Sequence, residues 1–231
     1  MKTCFVDYRI SEIEEMNLKN LGVNIIKVPK HKNLYEAIDG HPDIQINILN
    51  SSSIIISKNS CKELFDSIPN NITVLESSLS LERKYPKDIY LNAVNLKNIF
   101  IHNLKYTDPI LLENVKHKNL IDIKQGYAKC SIAVVSENAF ITSDEGVYNS
   151  LKESNFDVLL IPSGDILLPG LNYGFIGGTC GLISKREMVF FGNLENHSYG
   201  KEILNFLKKH NVKAIYLSDG KLIDRGSILT I

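Results

Sequence analysis

Short apolar runs recur along the chain, and a polar turn and an amphipathic stretch follow each of them. The runs are CFVDYR from Cys4, SIIISK from Ser53, NIFIHN from Asn98, NAFITS from Asn138 and MVFFGN from Met188. The stretches that follow them are ISEIEEMNLKNLG, SCKELFDSI, DPILLENV, GVYNSLKESN and SYGKEILNFLKKHN. Apolar runs of this length predict buried strands, and apolar residues at i, i+3 and i+4 predict helices. The pattern therefore predicts five strand–helix pairs.

Two more extended stretches follow each predicted helix. The second strands are VNIIKVP, ITVLES, NLIDIK, FDVLLIP and VKAIYLS, and the closing strands are DIQINIL, DIYLNAV, CSIAVV, CGLIS and GSILTI. A fixed period of this size is typical of a stack or ring of supersecondary units. We predict a single domain over residues 1–231. Its repeats run roughly over 1–52, 53–97, 98–137, 138–187 and 188–231.

The start of the closing strand is the position at which the repeats align. Asp43 precedes Ile54 by eleven positions, and Cys130 precedes Ala139 by nine. The second unit has the same eleven-residue spacing as the first, from Asp88 to Ile99. The fourth unit has the same nine-residue spacing as the third, from Cys180 to Val189. The aligned positions are Asp43, Asp88, Cys130, Cys180 and residues 226–228. We expect these positions to face one another around a central axis.

A doubly wound α/β sheet is the alternative fold, because it too alternates strands and helices. Against it, no helix separates the closing strand of one unit from the first strand of the next. Hairpins are therefore required where a doubly wound sheet needs crossovers. The segment GFIGGTCG is rich in glycine, but no strand ends directly before it and no helix follows, so it is no dinucleotide-binding fingerprint.

Composition and charge exclude several functional classes. The net charge is zero, 44% of the residues are hydrophobic, and lysines are scattered rather than clustered. No basic stripe suggests nucleic-acid binding. The start, MKTCFVDYRISEIEE, lacks a long apolar region, and no run of about 18 apolar residues predicts a membrane span. We expect a cytoplasmic protein that binds neither nucleic acid nor membrane.

The four cysteines are far apart and form no CxxC pair, which argues against a zinc ribbon or a disulfide framework. We expect neither a metal nor a cofactor. Each thiol is free until shown otherwise, and the oligomeric state is open.

The repeat architecture resembles the pentein fold, a five-bladed α/β propeller of ββαβ-type units found in the guanidino-group-modifying enzymes. His41-Pro42-Asp43 looks like the His-x-Asp pair of those enzymes, and Gly177-Gly178-Thr179-Cys180 looks like their glycine-rich segment ending in a nucleophilic Cys. The phrases HPDI, QGYAKCS and YGFIGG are similar to those of an uncharacterised bacterial family of this fold. The superfamily also includes a non-catalytic ribosome anti-association factor, so the fold alone does not imply catalysis.

The resemblance implies a cysteine-dependent amidinohydrolase or deiminase acting on a small guanidino compound. That reaction requires a thiolate that attacks the guanidinium carbon, a His that acts as acid and base, and carboxylates that hold the cation. Either Cys180, which has the glycines, or Cys130, which has Lys129 beside it, could be the nucleophile. His41 and Asp43 complete the catalytic set. If the segment is extended, they lie on the same face of a strand.

Asp88, Gly177 and Gly178 are the expected substrate-binding residues. An acidic pair of Asp43 and Asp88 would bind a planar cation, and bare glycine backbone would approach a substrate closely. The order of the His and Cys blades differs from that of the known enzymes, however. A non-catalytic pentein that binds a metabolite or a macromolecule is therefore the alternative. In that case the thiols are core residues and His-Pro-Asp is an ordinary turn.

Overall fold

The structure, a computed structural model, describes residues 2–231 and contains five separate three-stranded sheets. In chain order the strands are β1 (Thr3–Asp7), β2 (Asn24–Val28), β3 (Ile46–Asn50), β4 (Ser53–Lys58), β5 (Thr73–Ser80), β6 (Val94–Asn95), β7 (Ile99–His102), β8 (Asn119–Asp122), β9 (Ile132–Ser136), β10 (Ala139–Thr142), β11 (Asp157–Leu160), β12 (Cys180–Ser184), β13 (Glu187–Phe190), β14 (Lys213–Tyr216) and β15 (Leu229–Thr230). The five predicted units are all present.

Each sheet has the same topology. The middle strand pairs antiparallel with the first strand and parallel with the third, in the orders β3-β4-β5, β6-β7-β8, β9-β10-β11 and β12-β13-β14. The remaining sheet, β15-β1-β2, joins the two ends of the chain, with Cys4 opposite Thr230. Each first strand therefore comes from the closing stretch of the preceding unit. The doubly wound alternative is wrong, because five hairpin-built sheets replace its single sheet.

The α-helices lie between the second and third strands of each sheet or just before the first strand. They are α1 (Glu12–Asn20), α2 (Pro42–Gln45), α3 (Lys62–Ser67), α4 (Pro109–Val115), α5 (Ala128–Ser131), α6 (Glu145–Glu153) and α7 (Gly200–Lys209). Local sequence explains their starts. Ser11 and Glu14 form a capping box at α1, and the side chains of Asp108 and Asp144 cap α4 and α6.

The middle strands explain the continuous apolar runs of the sequence. All residues of β1, β7 and β10 are buried, and so is most of β4 and β13. A strand covered on both faces lacks polar alternation, which is why these five stretches are recognisable without tertiary information. No helix within residues 2–231 is long and apolar enough to cross a membrane.

Helical turns precede three of the first strands, and this differs from the sequence-based expectation. Pro42–Gln45, Ala128–Ser131 and the 3-10 turn Ile176–Thr179 lead into β3, β9 and β12. The expected placement of His41 and Asp43 on one strand face is wrong. His41 caps the turn and Asp43 lies inside it, because Pro42 has the fixed φ that suits a first helical position.

The aligned position of the two cysteines also changes. Ile46, Ile132 and Cys180 each begin a first strand, and each pairs with the residue ten positions later, namely Ile56, Thr142 and Phe190. Cys130 lies two residues before its strand, whereas Cys180 is the first residue of its strand. The predicted equivalence of Cys130 and Cys180 is therefore wrong by two residues. The difference arises because Ala128–Ser131 forms a helical turn, whereas the sequence pattern predicted a strand from Cys130.

Candidate functional site

The turns before β3 and β9 bring three reactive side chains together. One ligand atom each from His41, Asp43 and Cys130 lies within 4.8 Å of the other two, and all three residues are buried. Asp43 is on α2 and Cys130 is on α5, 87 residues apart in sequence. The structure therefore joins His41 and Asp43 with one of the two candidate cysteines.

The Cys130 thiol and the Asp43 carboxylate are hydrogen-bonded. Cys130 Sγ lies 3.2 Å from Asp43 Oδ1 and 3.1 Å from Oδ2, as expected of a protonated thiol donating to a carboxylate. Burial, followed by the charge of Asp43, raises the pKa of Cys130 well above its usual value. The thiol is therefore neutral when the site holds no ligand.

Asn92 fixes the relative position of these two groups. Its Nδ2 donates to Asp43 Oδ1 at 3.1 Å and lies 3.2 Å from Cys130 Sγ. Its Oδ1 accepts from the backbone N–H groups of Lys129 at 2.8 Å and Cys130 at 3.2 Å. Asn92 is fully buried, so these contacts are not exchanged for water.

Ser227 connects the cluster to a cation. Ser227 Oγ is 2.6 Å from Asp43 Oδ2, to which it donates, and it accepts from Lys129 Nζ at 2.9 Å. The backbone N–H of Asp43 also donates to Gly226 O at 3.1 Å. The segment before β15 thus forms one wall of the site. Ser227 and Gly226, which belong to the expected fifth position, both contact Asp43.

His41 is buried without a hydrogen-bond partner. Neither ring nitrogen has one among the described residues, and its side chain is 1% exposed. Burial lowers the pKa of His41 to about 4, although Asp43 opposes that shift. An orphaned buried imidazole is unusual because each unsatisfied nitrogen loses its hydration. Its nitrogens are available to a ligand.

Asp224 is a second buried carboxyl beside His41. Its Oδ2 accepts from the backbone N–H of Phe175 at 2.8 Å, and its Oδ1 accepts from Gly226 N at 3.0 Å. His41 Nδ1 lies 3.9 Å from Asp224 Oδ1. Burial, together with the charge of Asp43, raises the pKa of Asp224 to about 7. This carboxyl can therefore change protonation state near neutral pH.

The cluster opens into a cavity of about 280 Å³ whose walls are mainly aromatic and aliphatic. His41, Cys130 and Asp224 form its polar end. The other lining residues are Tyr35, Ile38, Ile44, Tyr127, Leu168, Leu171, Asn172, Tyr173 and Phe175. Four of them belong to the loop SGDILLPGLNYG, residues 163–174, namely Leu168, Leu171, Asn172 and Tyr173. A mostly apolar pocket with a few convergent polar groups is typical of a small-molecule site.

Asp88 does not line this cavity but lies behind it. Tyr127, which is in the cavity wall, donates its hydroxyl to Asp88 Oδ2 at 2.6 Å. Burial raises the pKa of Asp88, and burial with the Asp88 contact raises the pKa of Tyr127. Asp88 Oδ1 has no partner among residues 2–231. Asp88 therefore contacts the cavity wall through the hydroxyl of Tyr127.

Cys180 belongs to a different environment. It is buried in an apolar cluster, its thiol is 3.4 Å from Ile176 O, and burial raises its pKa to about 11. It lines a second cavity that Cys130 does not line. The structure thus places Cys130, and not Cys180, beside His41 and Asp43.

Gly177 and Gly178 allow close backbone approach within the protein. A Cβ on Gly177 would lie 2.3 Å from Lys129 O, and a Cβ on Gly178 would lie 1.9 Å from Asp224 Oδ1. Both glycines are buried, and neither lines the aromatic cavity. Their bare backbones hold α5 and Asp224 in place.

The His41, Asp43 and Cys130 donor atoms are also close enough together to bind one metal ion. Imidazole, carboxylate and thiolate are a donor set that suits Zn²⁺. Binding requires loss of the thiol proton, and the present hydrogen bond to Asp43 keeps that proton in place. Metal binding is therefore a competing use of the same three atoms.

Asp224, Asn92 and Ser227 are site residues that sequence reasoning did not select. Asn92 is visible as a repeated position, but its long-range contacts are not. Asp224 lies two residues before the last closing stretch, GSILTI, and Asp43 and Asp88 are the first residues of theirs. That position is the signal that could have identified it.

Solved structures of three guanidino-modifying enzymes share this fold. A dimethylarginine dimethylaminohydrolase from Pseudomonas aeruginosa, a mutant complexed with citrulline, is 10% identical with a TM-score of 0.56, over 93% of this chain and 91% of that chain. An amidinotransferase from Microseira wollei in the saxitoxin biosynthetic pathway is 10% identical with a TM-score of 0.54, over 93% and 87%. The agmatine deiminase of C. jejuni is 13% identical with a TM-score of 0.52, over 94% and 86%.

Sequence comparison adds a family assignment. No curated protein sequence matches this chain. Residues 5–229 match the family described as "Family of unknown function (DUF6873)". The expected pentein architecture is confirmed by the structural likeness, which covers nearly the whole chain. The chain belongs to the DUF6873 family and has the pentein fold.

Proposed function

We propose that this protein is a cysteine-dependent hydrolase of C–N bonds in a small guanidino compound. The proposal depends on one observation above all. A thiol, an imidazole and a carboxylate lie within 4.8 Å of one another. The thiol and the imidazole line a small-molecule cavity, and Asp224 lines it beside them. Cys130 is the nucleophile, His41 is the acid and base, Asp224 binds the cation, and the charge of Asp43 behind the thiol adds to the attraction.

Cation binding supplies the activation that the buried Cys130 thiol needs. A guanidinium presents N–H groups in a planar fork that matches carboxylates. Its positive charge beside Asp224 favours the ionised carboxyl, and its charge beside Cys130 favours the thiolate. The high pKa of the Cys130 thiol without ligand is consistent with this order of events. The thiol becomes nucleophilic only when a cation is bound.

The proton of the thiol has a path through His41. Neutral His41 takes the proton as Cys130 Sγ bonds to the guanidinium carbon, and the imidazolium then gives it to the departing nitrogen as the C–N bond breaks. Water attacks the resulting thiouronium, His41 accepts a proton from that water, and the thiol is regenerated. The products are an amine or ammonia and the corresponding urea.

The cavity wall selects among guanidino compounds. Tyr35, Tyr127, Tyr173 and Phe175 line it, and no Lys or Arg is among its described lining residues. The α-carboxylate of an amino acid would therefore enter without a cationic partner. We expect an aliphatic or aromatic substituent to bind better than the arginine side chain with its amino-acid head.

The experiment is a turnover assay with a panel of guanidino compounds, read out as ammonia and urea-product release. The wild type is compared with Cys130→Ala and with Cys180→Ala as the matched control. We expect butylguanidine or phenylguanidine to react faster than arginine. We also expect the Cys130 variant to lose at least about 10³-fold and the Cys180 variant to stay within threefold. No turnover of any compound would overturn the proposal, and so would equal loss in both variants.

A non-catalytic pentein that binds a cationic metabolite at the same carboxylates is the second candidate. The burial and high pKa of Cys130 favour it, since a permanently neutral thiol does not react. Calorimetry separates the two. Saturable binding of butylguanidine that is unchanged in Cys130→Ala, with no product released, would support binding alone. The same titration with Zn²⁺ and with a chelator tests metal occupancy of the thiol site.

A further inference from the structure

A second cavity, the axial cavity, lies where the first strands of the five sheets meet. Its volume is about 200 Å³, and the first strand of every sheet contributes to its walls. The lining side chains are chiefly aliphatic, with Ile46 from β3, Val94 from β6, Val134 from β9, Leu182 from β12 and Leu229 from β15. None of the residues that line the aromatic cavity lines this one. The two cavities are distinct sites.

Lys129 is the one charged residue among the described residues that line this cavity. Lys129 is partly buried and lines the second cavity but not the first. Its ammonium donates to Ser227 Oγ at 2.9 Å, and among residues 2–231 it forms no ion pair with a carboxylate. Two of its three N–H protons therefore remain available.

The other polar side chains of the cavity already have partners, including Thr230, whose Oγ1 lies 3.4 Å from Cys4 Sγ. Asn47 donates to Leu91 O at 3.1 Å and accepts from Asn95 Nδ2 at 3.0 Å, and Asn95 Oδ1 accepts from Lys118. Lys129 is thus the group that can recognise a polar ligand. The charge of Lys129 favours a negatively charged group on the ligand, and the aliphatic walls favour an aliphatic chain.

We propose that this axial cavity binds a small aliphatic carboxylate, whose anionic head meets Lys129 and whose chain packs against the first strands. The head gains a charge-assisted hydrogen bond in an environment with little competing water. The chain removes apolar surface from water. The proposal does not require that the protein be a hydrolase.

The site is linked to the thiol cluster by two hydrogen bonds. Lys129 donates to Ser227, and Ser227 donates to Asp43 Oδ2 at 2.6 Å. A carboxylate bound to Lys129 would offset part of the positive charge that stabilises the Asp43 carboxylate through Ser227. An occupied axial cavity would therefore alter cation binding at the aromatic cavity.

Methionine-methyl NMR provides a site-specific test with full-length protein. Met188 lies in the wall of the axial cavity, whereas Met16 is an exposed residue on α1 and serves as the internal reference. 4-Methylvalerate is titrated into protein labelled with ¹³C-methyl methionine. The uncharged isostere 4-methylvaleramide is the ligand control. We expect a saturable shift of Met188 with no shift of Met16.

Two variants complete the test. In Lys129→Gln, which keeps a polar contact for Ser227, we expect 4-methylvalerate to bind at least about tenfold more weakly. Lys201→Gln, at an exposed position on α7, should bind as the wild type does. The amide should bind at least tenfold more weakly to the wild type, a result that needs no variant. The inference is overturned if Met188 does not respond to the carboxylate, or if the amide or the Lys129 variant binds with unchanged affinity.

Discussion

Asp224 is a buried carboxyl whose ionisation should lower the stability of the fold as the pH rises through neutrality. In the unfolded chain this group ionises near 3.8, but in the folded protein its pKa is raised to about 7. Below 3.8 both states are protonated. Between these two values the unfolded chain loses the proton first, so the free energy of unfolding falls with rising pH. Above about 7 the loss is complete.

The size of this effect follows from the same two numbers. The interval from 3.8 to about 7, at about 1.4 kcal/mol for each pH unit, corresponds to a loss of about 4 kcal/mol. Asp224→Asn removes the titration. At pH 4 the variant should be less stable by about 1–3 kcal/mol, because its amide can accept only one of the two bonds from Phe175 and Gly226. At pH 8 it should be at least as stable as the wild type.

Urea unfolding followed by circular dichroism at pH 4, 5, 6, 7 and 8 measures this difference. Asp66→Asn, an exposed position on α3, is the matched control and should differ from the wild type by a constant amount. Curves for the wild type and the Asp224 variant that stay parallel within about 1 kcal/mol would refute the reasoning. So would a difference that changes in the opposite direction.

Two other perturbations test the packing around the site. Gly178→Ala places a Cβ 1.9 Å from Asp224 Oδ1 and should lower the free energy of unfolding by about 3 kcal/mol, whereas Gly220→Ala meets nothing within 4 Å and should change it by less than about 0.5 kcal/mol. Similar urea midpoints for the two glycine variants would contradict this. Burial lowers the pKa of His102 to about 4, so the stability contributed by its neutral form is present above about 6.5 and is lost as the pH falls towards 4. The advantage of the wild type over His102→Asn should shrink by up to about 3 kcal/mol between pH 7 and pH 4, and an advantage independent of pH would count against the burial argument.

Much of the fold could be predicted because its signals are local. The middle strands are continuous apolar runs since both of their faces are covered, and the longer helices have caps such as Ser11 with Glu14. The helical turns before the first strands could not be predicted in the same way. Four-residue turns such as Pro42–Gln45 are too short for a helical period to be distinguished from an alternating one.

The candidate site was predictable as a set of residues but not as a geometry. His41 and Asp43 are neighbours in sequence, so their closeness needed no fold. Cys130 lies two residues before its strand, whereas Cys180 is the first residue of its strand. Because of this difference in register the two thiols line different cavities. Asp224 could not be predicted, because its role comes from burial beside Asp43, and the two residues are 181 positions apart in the sequence.

The sequence by itself determined the five strand–helix units and the residue types available to the axis, because hydrophobic period and helix capping act over a few neighbouring residues. Only the tertiary structure decided which of those residues meet. Closure of the chain by β15 against β1 brings Ser227 to Asp43 and Asp224 to His41, and the turn before β9 brings Cys130 to Asp43. Hydrogen bonding, burial and pKa depend on distances in space, and those distances exist only once the five sheets have assembled around one axis.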